Sequence, residues 1–160
     1  MLRAFALVLE PLNRLALWLA GIGLVVMTIF VTWQVYGRYV LNATPSWTEA
    51  GSIVLMSWFI LFGAAAGVRE GGHLGFEILR YVVPAPVSRA MAAVSHVVVG
   101  LFGGAMAFYG LELTIGTWAA TIPTLGLPGG FDYLPLVVGG VLISLFSLEH
   151  LVRLALGAEA

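Results

Sequence analysis

Long apolar stretches alternate with short polar segments along this chain. The stretches that contain no Asp, Glu, Lys or Arg cover about residues 15–37, 50–68, 90–111 and 133–148. A hydrocarbon core ~30 Å thick needs about 20 apolar residues of helix, so each stretch is long enough, or nearly so, to cross a bilayer. We therefore predict an all-α integral membrane protein, a single domain over residues 1–160 with spans at about 15–37, 47–68, 90–111 and 133–152.

The arginines predict how these spans are oriented. With four crossings, one side of the membrane receives six of the seven arginines, namely Arg3, Arg14, Arg69, Arg80, Arg89 and Arg153. The other side receives Arg38. Because cytoplasmic loops of membrane proteins carry the excess of Lys and Arg, both termini and the loop of residues 69–89 are predicted to be cytoplasmic.

Composition narrows the class further. The chain is 61% hydrophobic and 9% charged, which excludes an ordinary soluble domain. A net charge of −1 gives no reason to expect a nucleic-acid partner, and the lack of cysteine removes disulfides and thiol chemistry. The charge-free core of the first span has 23 residues, longer than the apolar region of a usual signal peptide, so a retained signal-anchor is expected.

Two short amphipathic segments are predicted at the cytoplasmic interface. Residues 1–14 place Leu2, Phe5, Leu9 and Leu12 on one helical face, and Pro11 is expected to break this segment. After the Gly71–Gly72 turn, Leu74, Ile78 and Leu79 alternate with Glu77 and Arg80. This alternation is typical of a short helix that lies on the membrane surface.

The polar residues between the first two spans have two interpretations each. Ser46 and Glu49 have the spacing of a capping box at the start of the second span, in which each side chain binds a backbone donor. Alternatively, Glu49 pairs with Arg38 across the short outer loop. Arg38 in turn is either this partner or an interfacial anchor that reaches toward the headgroups.

Small residues and one histidine complete the candidate positions. Gly63 and Gly67 lie four apart in the second span, and Gly100 and Gly104 repeat this spacing in the third. Such spacing lets helix backbones approach closely, and we favour packing within this chain slightly over contact with another chain. His73 is interpreted as a polar residue near the interface.

The spans contain few residues that could couple ions, bind a cofactor or catalyse a reaction. No ionisable residue lies near the middle of any span, although ion-coupled carriers usually have one there. His96 and His150 both lie toward the cytoplasmic side and leave a haem-binding alternative open, but a haem site would need histidines deeper in the membrane. No nucleophile with a base and no phosphate-binding loop is visible, so we expect no enzyme, cofactor or metal site.

Several of these residues, in this order, give the chain a family resemblance. They include Arg38, Tyr39 and Val40, then Trp47, Thr48 and Glu49, then Trp58, Gly63, Ala64, Ala65, Arg69 and His73. In the second half, Leu125, Gly126, Leu127 and Pro128 precede Tyr133 and Pro135. Over residues 15–152 the chain resembles the small membrane subunit of TRAP (tripartite ATP-independent periplasmic) transporters. It departs from the family at Ala50, where a second acidic residue often stands, and after His73, where Gly75 intervenes before Glu77.

The resemblance implies a scaffold subunit of a sodium-coupled secondary transporter. A large membrane subunit would hold the sodium and substrate sites, and a periplasmic binding protein would deliver an organic acid such as a dicarboxylate or a sialic acid. Spans one and two and the outer loops would contact these partners, with Arg38, Trp47 and Glu49 at the outer face and His73 at the cytoplasmic turn. The alternatives are a haem-binding electron-transfer subunit and a self-sufficient small carrier that works as a homo-oligomer.

Overall fold

The computed structural model describes the backbone of residues 2–71 and 83–157. These residues form the helices α1 (Leu2–Tyr39), α2 (Ser46–Arg69), α3 (Ala85–Thr117) and α4 (Leu134–Ala155). Between α3 and α4 the chain forms a small antiparallel hairpin of β1 (Thr121–Ile122) and β2 (Leu127–Pro128), then a 3-10 turn (Gly129–Asp132). Within the described residues, four helices are long and apolar enough to cross a membrane, which confirms the predicted fold class.

The four helices pack side by side, as a layer in the order α1–α2–α4–α3, with a smaller direct contact between α1 and α4. The helix α2 packs against α1 on one side and α4 on the other, and α4 packs in turn against α3. The edge helices α1 and α3 therefore each have one main helical neighbour. We call the end of the layer where α2 and α4 finish the terminal end, and the opposite end, which holds the β-hairpin, the hairpin end.

The buried apolar core lies where α1, α2 and α4 converge, in the half of the layer toward the terminal end. Its members are Leu9, Ala16, Ala65, Val68, Leu142, Ile143 and Phe146. Among the side chains that the structure describes, Phe146 of α4 is the largest that is fully buried. The core therefore joins α1, α2 and α4 in the half of the layer nearer the terminal end.

The helices α3 and α4 approach each other closely enough for their backbones to touch. A Cβ atom built on Gly140 would lie 2.6 Å from the carbonyl oxygen of Gly103, and one built on Gly103 would lie 2.9 Å from the carbonyl oxygen of Gly140. The Ser144 hydroxyl donates a hydrogen bond of 3.1 Å to the carbonyl of Gly100 on the facing helix. Small residues here allow backbone contact and an interhelical hydrogen bond, the two sources of helix association in lipid.

The glycine pair predicted in α2 is placed differently. A Cβ on Gly63 would meet the Cβ of Ala20 in α1 at 4.0 Å, which is ordinary contact, and nothing lies within 4 Å of one on Gly67. Gly63 therefore faces α1 within this chain, while the space in front of Gly67 is open. The seam of α3 and α4 requires glycine because backbone atoms meet there; a Cβ on Gly139 would also lie 2.8 Å from the Cβ of Leu61 in α2.

The helix ends correct two predictions. Pro11 does not break the first segment, because α1 runs unbroken from Leu2 to Tyr39. Leu9 and Ala16 on either side of the proline are buried in the core. This packing keeps the segment helical, although proline cannot donate the backbone hydrogen bond at its position. The helix α3 continues to Thr117, beyond residue 111, where the third span was predicted to end.

The predicted capping box at the start of α2 is wrong. Pro45 occupies the N-cap position, and no side chain caps this helix end. Ser46 is already the first helical residue, so its hydroxyl is not placed to accept the bond that a capping serine accepts. The buried Thr48 hydroxyl instead donates a hydrogen bond of 2.8 Å to the carbonyl of Pro45.

Candidate functional site

Three of the predicted site residues lie at the hairpin end. Trp47 packs its ring edge-on against Phe30 of α1, with ring centroids 5.1 Å apart, and remains 42% exposed. Arg38 and Glu49 are also exposed, and the Arg38 guanidinium lies 6.0 Å from the ring centroid of Tyr39. Arg38, Trp47 and Glu49 together form what we call the hairpin-end surface.

The predicted pairing of Arg38 with Glu49 is wrong. Among the residues that the structure describes, no salt bridge within 4.0 Å joins them. Glu49 lies in the first turn of α2, where its charge complements the positive end of the helix dipole without a partner. Both charges are therefore presented at the surface separately.

The connection between α1 and α2 is tight and holds the hairpin-end surface together. Gly37 accepts a hydrogen bond of 3.0 Å from the Ala43 amide, and a Cβ on Gly37 would lie 2.8 Å from the Ala43 carbonyl oxygen. Nearby, Phe30 of α1 and Leu125 of the hairpin loop both approach Gly51 of α2, within 3.2 and 3.9 Å of a Cβ built there. The β-hairpin thus reaches across the layer to the start of α2.

The outward face of α1 continues this surface into the membrane. Thr28, Ile29, Thr32, Trp33 and Tyr36 line a shallow groove of about 420 Å³, which we call the hairpin-side groove. The hydroxyls of Thr28 and Thr32 donate to the carbonyls four residues earlier, at 2.8 and 2.7 Å. Because these hydroxyls are satisfied within α1, the groove can face an apolar neighbour.

A second polar group, at the terminal end, is centred on Arg69. Its Nε atom donates to Glu149 of α4 at 3.0 Å and its Nη1 atom to Glu10 of α1 at 2.8 Å. Its guanidinium also lies 5.8 Å from the ring centroid of Phe146. The Glu149 side chain is 3% exposed and that of Arg69 11%, so this ion pair is largely removed from solvent. Arg153 also pairs with Glu149.

Histidines extend this group to α3. The Nε2 atom of His150 lies 2.9 Å from the carbonyl oxygen of Arg69, and because a carbonyl only accepts, Nε2 must carry the hydrogen. The His150 ring stacks on His96 of α3, with centroids 4.6 Å apart and planes 7° from parallel. We call Glu10, Arg69, Glu149, His150 and Arg153 the terminal-end cluster; with Glu70, they surround a polar cavity of about 170 Å³.

Sequence reasoning used Arg69 for orientation and family resemblance and did not foresee this cluster. A signal was present: Arg69 ends the second span and Glu149 ends the fourth, so opposite charges reach the same side of the membrane at similar depth. Glu149 and Arg153 are also four residues apart on one helix, a spacing that favours an ion pair. His73 lies outside the described residues, as does the predicted surface segment of residues 74–80.

The stacked histidines do not fit the haem alternative. Two histidines that hold one haem must point ring nitrogens at the iron from opposite sides, whereas His96 and His150 present their ring faces to each other. The Nε2 atom of His150 is also engaged with a backbone carbonyl. The pair instead joins α3 to α4 at the terminal end.

Comparison with known proteins identifies the family. Residues 27–157 match the family model described as tripartite ATP-independent periplasmic transporters, DctQ component. The C4-dicarboxylate TRAP transporter small permease protein DctQ of Rhodobacter capsulatus is 33% identical over 99 residues, which are 61% of this chain and 44% of the relative. The protein of the same name from Vibrio cholerae is 29% identical over 92 residues, 58% of this chain and 37% of the relative.

A further relative matches along more of its length. The sialic acid TRAP transporter small permease protein SiaQ of Vibrio cholerae is 24% identical over 133 residues, 81% of this chain and 77% of the relative. The chain spans less than half of the length of the two C4-dicarboxylate relatives. The family model nevertheless covers most of the chain, including all of α2, α3 and α4. This chain therefore belongs to the DctQ family of small permease subunits of TRAP transporters.

Proposed function

We propose that this chain is the scaffold subunit of a sodium-coupled secondary transporter that imports an organic acid. It works with a large membrane subunit and a periplasmic binding protein, in the cytoplasmic membrane of a bacterium or archaeon. The family membership supports this proposal, and the relatives named for C4-dicarboxylates and sialic acid suggest the class of substrate. The arginine distribution supports an orientation with both termini in the cytoplasm.

The continuity and side-by-side packing of the helices are the observations that carry the proposal. A carrier needs a site for its substrate between helices near the middle of the membrane, commonly at broken helices. Here α1, α2, α3 and α4 are each continuous through their apolar length, and the charged cluster lies at the terminal end with its carboxylates paired to arginines. A layer with exposed edge helices is suited to bracing a larger membrane protein.

The hairpin-end surface is the proposed contact with the large subunit. Trp47 is large and half-exposed, and it is fixed in place by Phe30, which makes it a rigid apolar anchor. Arg38 and Glu49 add opposite charges beside it that can select a complementary partner. The adjoining hairpin-side groove on α1 extends the contact into the membrane, and the loops at this end face the binding protein.

The first test is purification of the tagged chain from its native membrane in mild detergent, followed by mass spectrometry. A large polytopic membrane protein in stoichiometric amount is expected, and vesicles that contain both proteins and the binding protein should take up an organic acid only with a sodium gradient. Purification of the chain alone, or uptake by vesicles that hold only this chain, would contradict the scaffold proposal. A Soret absorption band in the purified protein would instead support the haem alternative.

Replacing Trp47 with alanine is expected to weaken assembly with the large subunit. Loss of a central aromatic anchor typically costs about 2 kcal/mol, which corresponds to roughly a 30-fold loss of affinity. The measurement is the ratio of large to small subunit recovered after the same detergent wash. Phe102→Ala is the matched control, because this aromatic side chain is also exposed but lies on the opposite edge helix, α3. Equal recovery with Trp47→Ala and the parent chain would reject this contact.

A further inference from the structure

The outward face of α1 near the terminal end combines a cation, an exposed indole and an apolar groove. Arg14, Trp18, Gly21, Ile22 and Val25 follow one another at spacings of three, four or one along this face. The side chains of Arg14 and Trp18 are 75% and 71% exposed. This face points away from α2, because α1 contacts α2 through other positions, such as Gly23 and Phe30.

The groove beside Trp18 is open and apolar. It has a volume of about 540 Å³ and is lined by Leu17, Trp18, Gly21, Ile22, Val25 and Val26. No atom lies within 4 Å of a Cβ built on Gly21, so the glycine leaves a recess in the helix surface. A recess bordered by aliphatic side chains and an indole provides contact for an extended hydrocarbon chain.

Arg14 supplies a positive charge at the end of this groove that is nearer the terminal end. Its Nε atom pairs with Glu10 at 3.3 Å, but the same carboxylate also binds Arg69 at 2.8 Å. One carboxylate thus serves two guanidinium groups. In the described part of the chain, no hydrogen bond or ion pair uses the Nη atoms of Arg14. Arginine binds phosphate through such a pair of donors, and Trp prefers the depth of the headgroups.

We propose that this face of α1 binds one anionic phospholipid of the leaflet at the terminal end. The phosphate contacts the Nη atoms of Arg14, the glycerol region lies against Trp18, and one acyl chain follows the groove past Gly21 and Val25. Charge favours this occupant over an apolar partner helix, because such a helix would bring no acceptor for the Nη atoms of Arg14, whereas a phosphate brings oxygen atoms that accept from them. Basic side chains just at the end of a spanning helix attract anionic lipid headgroups in this way.

The test measures lipid binding by the full chain with native mass spectrometry in detergent. Dioleoyl phosphatidylglycerol is the anionic probe and dioleoyl phosphatidylcholine the neutral one. Arg14→Gln is expected to lower phosphatidylglycerol affinity about fivefold, the effect of ~1 kcal/mol per basic residue at a membrane surface. Gly21→Leu fills the recess and should lower the binding of this lipid at least as much. Val25→Trp is a second groove-filling variant, in case Gly21→Leu fails to fold.

Matched controls separate a site from general charge and surface effects. Arg89→Gln removes an exposed arginine from the first turn of α3 at the same end, and Gly116→Leu fills an open glycine position elsewhere. Both should bind phosphatidylglycerol as the parent chain does. The proposal is overturned by equal binding of the two lipids, by an equal loss with Arg89→Gln, or by unchanged binding in both groove-filling variants. It is also overturned if those variants lose the large subunit while they retain phosphatidylglycerol, because a protein helix would then be the occupant.

Discussion

Replacing Arg69 with methionine is expected to destabilise the folded chain. Methionine keeps much of the apolar stem but removes the donors to Glu149 and Glu10. Glu149 is nearly buried, so its carboxylate loses a hydrogen-bond partner that water cannot fully replace. Because Arg153 still pairs with Glu149, we expect a loss of about 1.5–3 kcal/mol, the range for one hydrogen bond to a charged group.

Thermal unfolding of the purified chain in detergent, followed by tryptophan fluorescence, measures this effect. Arg14→Met is the matched control: it also removes a partner of Glu10, but its side chain is mostly exposed, and exposed ion pairs contribute little. The double variant Arg69→Met with Glu149→Gln should recover part of the stability, because it removes the carboxylate left short of partners. Equal destabilisation by Arg14→Met, or no recovery in the double variant, would show that the buried pair is not the cause.

A methyl group added at Gly140 is expected to force α3 and α4 apart. The new Cβ would lie 2.6 Å from the Gly103 carbonyl oxygen and 2.7 Å from the Ala107 amide nitrogen. Both are backbone atoms, so no change of side-chain rotamer relieves the overlap. Overpacking typically costs 1–3 kcal/mol, and separation of the helices would weaken dispersion contacts along the seam. Because two backbone atoms are in the way, we place the cost at the upper end of this range; after the helix-propensity gain of alanine over glycine, about 1 kcal/mol, we expect Gly140→Ala to lose about 2 kcal/mol.

The matched control for this change should shift stability in the opposite direction. Gly67→Ala adds the same methyl group to a helix position with nothing within 4 Å of the new atom. It should therefore gain up to about 1 kcal/mol from helix propensity alone. Both variants are compared by unfolding in the same detergent. A Gly140→Ala chain as stable as the parent would mean that the two helices can separate without loss, contrary to the backbone contact described.

The number and type of the helices were predictable because the bilayer imposes a simple rule. Backbone groups in hydrocarbon must be satisfied within the segment, so a long uncharged stretch becomes a helix. The order of the helices in the layer was not predictable in this way, because apolar side chains suit lipid and protein neighbours equally. Glycine spacing was a partial guide for the same reason: Gly100 and Gly104 face α4, whereas Gly67, which has the same spacing in α2, faces open space.

The candidate site was predicted only as a set of positions. Trp47 lies at the start of α2, and its contact with a partner stays a prediction. The pairing of Arg38 with Glu49 failed because loop geometry decides where such exposed side chains lie. The capping box failed because a sequence pattern does not say which residue is the first in the helix. The Arg69–Glu149 pair depends on the adjacency of α2 and α4, which only the tertiary structure supplies.

The order α1–α2–α4–α3 has a consequence for how the chain is made. It consists of two hairpins of consecutive helices, α1 with α2 and α3 with α4, each of which can pack as soon as its second member has been synthesised. Helices that insert independently and then associate would assemble these local pairs first. The contact of α2 with α4, and with it the pairing of Arg69 and Glu149, must wait for the last helix. Until then, Arg69 has no partner in α4, and the two halves of the protein remain unjoined in the bilayer.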